Sequence, residues 1–368
     1  MNGVFVDADF PGGNIVVDVI SDDTVRIHQD LRDTTIWWFY WSFRIRNAAG
    51  RTIRFEFTNG NVFSPAGPCY SPNGMDWQWL GLECTDGDSF TYTFGTDQHE
   101  VFFAFCPTYT ESNLHCFLQS HSYVNSDILT TSEQDRSVEL LSIPAANPKV
   151  SLLITARHHA CESVANFVLE GILEEWGNDA ADSTWLRDHI DLYAVPFVDK
   201  DGVENGDQGK MRAPHDHWQD YTQTPRYTSV RAIRSLCNNV RAPLALAIDL
   251  HCPWIRGQHA ESILLLEPES KWLQAFNSFW ASVTNQAQCA ISKTPMTRIP
   301  YGTSFNTDSN DFATHIRRHH NALAMTLEFP YAIAWDVLIS LEESRLFGRD
   351  LVRGTARFLK EHSTLLGK

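Results

Sequence analysis

The sequence predicts an α/β fold: a mixed, mostly parallel sheet flanked by helices, preceded by an antiparallel β-sandwich. Three observations predict it. From residue 150 onward, apolar runs of strand length alternate with stretches of helical periodicity, the order that builds a sheet covered on both faces. Before residue 115 the apolar runs are short, rich in aromatic and β-branched residues, and separated by Gly, Asn, Asp and Pro clusters. Three of the later runs are followed within a few residues by His or Glu, which gathers polar side chains at one edge of a sheet. The expected division is 1–115 for the sandwich and 116–368 for the α/β part.

In the first part the expected strands are 16–20, 24–27, 37–43, 52–57, 90–94 and 99–105. The densest is Trp37-Trp38-Phe39-Tyr40-Trp41, read as a strand covered on both faces, with a ligand-stacking platform as the other reading. A short helix is expected at 112–120, a strand at 138–143 and a turn at Ala145-Ala146-Asn147-Pro148. Then follow strand 150–156, helices 163–176 and 184–189, and strand 191–197. Helix 228–239, strand 243–250, helix 269–287, strand 322–328 and helix 339–361 complete the chain. There are no internal repeats and no low-complexity tracts.

The organising stretch is SLLITARHHACESVANFVLEGILEE, residues 151–175. A buried-strand run ends at Ala156, and the apolar positions Val164, Phe167, Val168, Ile172 and Leu173 recur at helical spacing. Glu162 or Ser163 is placed to cap that helix. His159 and Glu162 therefore sit on a strand-to-helix turn, where an imidazole and a carboxylate can share one divalent ion. Alone the pair is a weak signal. The run LALAIDL, however, ends in His251, with Asp249 two residues before it as a carboxylate to orient that imidazole. A third run, ALAMTL, ends in Glu328. His159, Glu162 and His251 make a two-His, one-Glu set with an open position for water, the donor set of catalytic zinc.

With these pieces in view the chain resembles the zinc carboxypeptidase family, and within it the cytosolic carboxypeptidase branch and its bacterial relatives. The carrying segments are ITARHHACES, VPFVDKDGVENGDQGKMRAPHDHWQDY, AIDLHCPW and TLEFPYA, in the family's order. The runs GGNIVV, WWFYWSFRIRNAAG and FFAFCPTYT resemble the β-domain that precedes the catalytic domain in that branch. The resemblance implies one Zn²⁺ ion on His159, Glu162 and His251, with Glu328 as general base on a zinc-activated water, and a peptide or protein C-terminus as substrate. It implies a substrate-capping Tyr, for which Tyr301 is the Tyr in the right window, with a turn Tyr before Gly302 as an equal reading.

One segment departs from the family. The family holds the substrate carboxylate with an Asn-Arg pair, and here those positions are Trp218 and Gln219, after a retained Asp216. A neutral amide cannot replace a guanidinium at a charge-assisted contact of roughly 1.5–3 kcal/mol. The family Arg that polarises the scissile carbonyl falls near Gly209, which leaves Lys210 or Arg212 for that role. The carboxylate would then be held by Lys210, Arg212, Arg298 or an aromatic slot with Trp218. Asp199-Lys200-Asp201-Gly202 reads as a tight turn, and the residues after it as a long loop beside the site. Two further readings stay open: a zinc deacylase or amidase on a small N-acyl substrate, and an inactive zinc-bearing binding module.

Composition bounds the rest. Lys+Arg 29 against Asp+Glu 45 gives a net charge of −16, which disfavours nucleic acid and anionic membranes as partners. No apolar run approaches the ~18 residues of a membrane span, and MNGVFVDADFPGGN has neither a basic nor an apolar leader region. The expected location is cytoplasmic. The 8 Cys lack paired spacing and read as reduced, with Cys161 and Cys252 as packing residues beside the proposed ligands. His319 and His320 read as a solvated helix end.

Overall fold

The computed structural model describes residues 3–257, 259–285, 287–303, 306 and 309–362. Up to about residue 105 the chain forms two five-stranded sheets. One contains Phe5–Asp7, Ser42–Arg46, Glu100–Ala104, Cys69–Ser71 and Gln78–Trp79, in that spatial order. The other contains Val16–Ile20, Thr24–His28, Thr52–Phe57, Ser89–Thr93 and Thr85–Asp86. Alternate residues of each strand point inward, so Phe43 of the first sheet meets Phe55 of the second at 5.2 Å between ring centroids. Phe90 and Phe103 meet in the same way at 5.3 Å. The pairing is antiparallel except between Thr24–His28 and Thr52–Phe57, which run parallel.

The stretch Trp37–Trp41 is not a strand; the strand begins at Ser42. At Tyr40 the peptide groups bond to a side chain elsewhere instead. Tyr40 N donates to Gln208 Oε1 at 3.0 Å, and Gln208 Nε2 donates to Tyr40 O at 2.8 Å. A backbone whose polar groups are satisfied by a glutamine needs no neighbouring strand.

The helix α1 (Glu111–Ser120) leads into the second part, and the division expected at residue 115 falls within it. The large sheet has eight strands, β1 (Asn125–Thr131), β2 (Ser137–Ile143), β3 (Val150–Ala156), β4 (Ile190–Val195), β5 (Leu244–His251), β6 (Leu264–Leu266), β7 (Thr297–Ile299) and β8 (Leu323–Glu328). Their spatial order is β1-β2-β4-β3-β5-β8-β6-β7. The central four, β4-β3-β5-β8, are mutually parallel, and β1, β2 and β6 contribute the antiparallel pairings. β3 is buried throughout, because helices or sandwich cover both of its faces. Leu152 and Ile154 face the core shared with α2 (Val164–Gly177) and with the sandwich. Leu153 faces the other way, toward the residues Val230 and Ile316.

Helix α3 (Ala181–His189) precedes β4. The segment after β4, expected as a turn and open loop, begins with a short helix α4 (Lys200–Asn205). Asp199 caps it by accepting from Gly202 N, and Gly206 ends it in the left-handed region at φ 76°. Polar composition hid a helix whose ends are set by capping. α5 (Thr228–Asn239), α6 (Ser270–Thr284), α7 (Phe312–His319) and α8 (Leu341–Glu361) complete the fold. The sequence reading did not find β1, β6, β7 or α7, which are short, edge-lying or polar. All eight cysteines are free thiols. Among the described residues no helix is long and apolar enough to cross a membrane.

Candidate metal centre

Parallel strands bring their carboxyl ends to one edge, and the order β4-β3-β5 reverses direction at β3, which opens a crevice there. The turn after β3 enters that crevice. It starts with Arg157 in the left-handed region at φ 61°. A buried Arg in that conformation needs compensation, and it has it. Its guanidinium donates to Tyr109 O at 2.8 Å, to Asn166 Oδ1 at 2.9 Å and twice to Ala160 O. The turn is thereby held from inside, and His159 and Glu162 project from it. Ser163 occupies the N-cap position, but its hydroxyl donates to Pro107 O at 2.6 Å rather than to the helix.

Register supplies the other half of the site. His251 of β5 is the direct partner of Glu328 of β8, and Glu328 is in turn paired with Leu264 of β6. Partners in register share a face, so an imidazole, a carboxylate and an apolar side chain stand in one row across three strands. One row lower, Thr155, Asp249 and Thr326 are aligned. Thr155 Oγ1 donates to Asp249 Oδ1 at 2.8 Å.

The donors converge. His159 Nδ1 lies 3.1 Å from Glu162 Oε1, and His251 Nδ1 lies 3.1 Å from His159 Nδ1 and 2.8 Å from Glu162 Oε2. That last oxygen is buried and makes no aligned hydrogen bond. The far nitrogens are held by carboxylates: His159 Nε2 by Asp216 Oδ1 at 3.2 Å and His251 Nε2 by Asp249 Oδ2 at 2.9 Å. Two imidazoles with their outer nitrogens on carboxylates present their inner nitrogens as lone pairs, and these join a carboxylate with an orphaned oxygen. This donor set fits one divalent ion.

Two other groups of donors are less suited. His158 lies beside Asp249 and His251, but its Nδ1 bonds Asp249 at 2.8 Å and its Nε2 bonds the Tyr221 hydroxyl at 2.8 Å, so both nitrogens are used. Glu111 and Glu139 approach each other around the ammonium of Lys200, 2.6 Å from each, which already supplies the positive charge.

Charge around the centre follows from burial and neighbours. Burial opposes ionisation of Asp249, yet the His158 and His251 imidazoles hold its carboxyl well below the usual range. Burial likewise opposes the charge on Asp216, and His159 overcomes it. Burial pushes the Glu328 carboxyl up, and the charge of Glu162 adds to this while Lys210 opposes it. Burial disfavours the Lys210 ammonium, but Glu162 and Glu328 raise its pKa strongly, so it stays charged.

Lys210 Nζ lies 2.7 Å from Glu162 Oε1 and 5.7 Å from the centroid of the Trp38 ring. It comes from the loop 206–213, which packs directly on the ligand turn. A Cβ at Gly209, where φ is 76°, would stand 2.1 Å from Ala160 N. The sandwich holds this loop. Asp33 accepts from Gln208 N at 3.0 Å and Gly209 N at 2.8 Å, Thr34 Oγ1 donates to Lys210 O at 2.7 Å, and Ala213 N donates to Asp33 O at 2.8 Å.

The remaining expected site residues fall as follows. Arg212 is turned away from the metal donors and bound to Asp199 at 2.6 Å and Asp207 at 2.9 Å. Its charge is consumed by those carboxylates. Arg298 pairs with Glu267 at 3.0 Å and lies over Phe276. Trp218 is half-buried, with ring centroids 6.1 Å from His159 and 6.0 Å from His251. It separates two cavities. One, of about 600 Å³, opens on Lys210 and Glu328 and has apolar walls. The other, of about 430 Å³, is more polar and contains Gln219, Asp311 and Arg317. Tyr301 sits in the turn after β7 and is not among the described residues lining either cavity. His319 is exposed at the end of α7, as expected, but His315 one turn earlier is buried. Sequence reasoning named Asp216 but gave it no contact with the centre, and it missed His158, which adjoins His159. It had no means of finding Asp33, which is 176 residues from Gly209.

Comparison with known proteins agrees with this architecture. Residues 6–106 match the family profile described as the cytosolic carboxypeptidase N-terminal domain. Cytosolic carboxypeptidase 3 of Mus musculus is 26% identical over 300 residues, which is 68% of this chain and 29% of that protein. Cytosolic carboxypeptidase 6 of Mus musculus is 26% identical over 180 residues, 44% of this chain and 33% of that protein. The chain thus spans about a third of the length of these curated relatives. Among solved structures, a metallo-carboxypeptidase from Burkholderia cenocepacia superposes with a TM-score of 0.80 at 18% identity, covering 98% of this chain and 100% of that one. A metallo-carboxypeptidase from Pseudomonas aeruginosa, in complex with (2-guanidinoethylmercapto)succinic acid, gives 0.82 at 20% identity, covering 97% and 99%.

Proposed function

We propose that this chain, a relative of the cytosolic carboxypeptidases built on the metallo-carboxypeptidase fold, is a zinc-dependent metallocarboxypeptidase that releases C-terminal residues from peptides or proteins. The observation that carries the reading is the row His251–Glu328 on adjacent strands, beside the converging donors of His159 and Glu162. Those three residues, His159, Glu162 and His251, would hold the ion. When bound, zinc acidifies a water and polarises a carbonyl.

The protein's own groups perform the rest. Glu328 has a buried oxygen with no hydrogen-bond partner and a raised pKa, the condition of a carboxylate that accepts a proton from water and returns it to a leaving amine. Lys210 places an ammonium beside Glu328 and Glu162, where negative charge develops on the carbonyl oxygen. Arg212, held by Asp199 and Asp207 with Asp33 farther off at 3.7 Å, takes no part. Asp216 and Asp249 orient the two imidazoles. Trp218 walls the cleft, and Gln219 contributes no charge to a substrate carboxylate. Substrate contact by Tyr301 rests on the family resemblance alone. The names of the relatives support a cytoplasmic location.

The test is a peptide-library digest read by mass spectrometry, with the zinc-loaded chain and its Glu328→Gln variant. Loss of C-terminal residues by the parent alone, with zinc retained in both, supports the assignment. Full turnover in Glu328→Gln, or no trimming by a zinc-loaded parent, rejects it. One observation favours a second reading. The cavity of Gln219 contains a carboxylate and an Arg317 already paired with Glu269 at 2.6 Å, which suits a neutral amide better than a carboxylate. A zinc amidase acting on a small N-acyl substrate would cleave such compounds in the same assay without needing a free C-terminus. A zinc-loaded chain that cleaves neither class would be the inactive binding module.

A further inference from the structure

Resting on the carboxypeptidase reading, we propose that Arg256 anchors the substrate's terminal carboxylate, and that the apolar cavity beside it selects a large apolar terminal side chain.

Lys210 is paired with Glu162 at 2.7 Å, Arg212 with Asp199 and Asp207, Arg298 with Glu267, and Arg317 with Glu269. Each of these charges already has its carboxylate. Arg256 lines the cavity that opens on Lys210 and Glu328, and among the described residues its one hydrogen bond is to a carbonyl, Phe63 O of the sandwich. Among the described residues it makes no ion pair. That single bond fixes the guanidinium and leaves its other N–H groups to a ligand. A guanidinium offers paired donors in a plane, the arrangement a carboxylate accepts in bidentate fashion.

The walls state the rest of the ligand. Leu264 is the sheet partner of Glu328, so the apolar floor starts next to the proposed base. Leu266 and Ile299 continue it as partners on β6 and β7. Trp254 forms one side and is itself packed on Trp38, with ring centroids 4.5 Å apart. About 600 Å³ is ample for an aromatic or branched aliphatic side chain together with its carboxylate. Both cavities hold a carboxylate, Glu328 in one and Asp311 in the other, but the Gln219 cavity has no unpaired cation among the described residues, its Arg317 being paired with Glu269. A carboxylate is therefore drawn to the Arg256 side of Trp218.

The test is direct binding to the zinc-loaded full chain, followed by the fluorescence of the cavity tryptophans. The probes are N-acetyl-phenylalanine, its C-terminal amide and N-acetyl-glycine. The acid should bind at least about tenfold more tightly than the amide, the effect of one charge-assisted contact. N-acetyl-glycine should bind far more weakly than N-acetyl-phenylalanine. Arg256→Gln should erase the acid–amide difference, and Arg256→Lys should restore part of it. Arg256 is exposed, and unchanged zinc content and circular dichroism check that each variant folds. Equal binding of acid and amide to the parent, a difference that survives in Arg256→Gln, or no binding of either would overturn the proposal. Binding with this pattern and no peptide cleavage would keep the anchor and reject the carboxypeptidase reading. Cleavage that is indifferent to Arg256→Gln would do the reverse.

Discussion

On the carboxypeptidase reading, replacing Asp33 by Asn should cripple turnover while leaving zinc binding unchanged. Asp33 belongs to the sandwich and binds the loop that carries Lys210. Its two oxygens accept the backbone N–H of Gln208 at 3.0 Å and of Gly209 at 2.8 Å. Each is a hydrogen bond to a charged acceptor, with a net value of about 1.5–3 kcal/mol. Asn keeps one acceptor and turns an amide N–H₂ toward the other donor. The expected loss is one such bond, and one buried N–H loses its partner. The loop cannot relax inward, because Gly209 already rests on the backbone of Ala160. It must lift, and Lys210 lifts with it. A displacement of about 1 Å in a catalytic group costs on the order of a hundredfold in rate. The assay is kcat and KM on a C-terminal peptide at measured zinc stoichiometry. The expected outcome is about a hundredfold lower kcat, a smaller change in KM and unchanged zinc. A kcat within about threefold of the parent would refute it, and so would zinc loss in proportion to activity, which would make Asp33 a support of the ligand turn only.

Three further outcomes follow from the same geometry. Gly209→Ala has no room, since its Cβ would meet Ala160 N at 2.1 Å in a left-handed backbone, so that variant should lose both metal and turnover, seen by zinc content after purification. Asp249→Asn should weaken zinc about 10–100-fold in a chelator competition, because Asp249 fixes the outer nitrogen of His251 while also holding His158. Burial among His319, His320, Arg234 and the Tyr221 ring lowers the His315 pKa to about 3, so the native protein stays neutral there while the unfolded chain takes up a proton below about 6.5. Stability should therefore fall as pH drops from about 6.5 toward 3, and His315→Gln should flatten that acid limb in urea titrations; an unchanged limb would exclude His315 as its source.

The sheet and the donor set were legible because each rests on local pattern. β3 and β5 are near-continuous apolar runs, and such runs announce a strand covered on both faces. His159 and Glu162 lie three residues apart, and Asp249 lies two from His251, so the candidate donors and the carboxylate beside them are visible together. Trp37–Trp41 misled because aromatic density signals burial, whereas the hydrogen bonds that decide strand or coil went to Gln208, far along the chain. α4 was hidden for the opposite reason: its composition is polar, and capping by Asp199 defines it. The role of Arg212 was unreadable because three aspartates from three segments, Asp33, Asp199 and Asp207, meet it only in the fold.

The left-handed Arg157 has a consequence for how this protein would handle its metal. Its guanidinium ties Tyr109, Ala160 and Asn166 together without using any donor atom of His159 or Glu162. The turn is thus built by the polypeptide alone. In small metal-stapled domains the binding energy is largely folding energy, and chelation unfolds the chain. Here the two are separated. The ion would add stability only by mass action, in proportion to its concentration and affinity. A chelator should switch such an enzyme off without denaturing it, and returning the ion should restart it with no refolding delay. The chain would then behave as a durable apoprotein whose activity tracks the supply of metal around it.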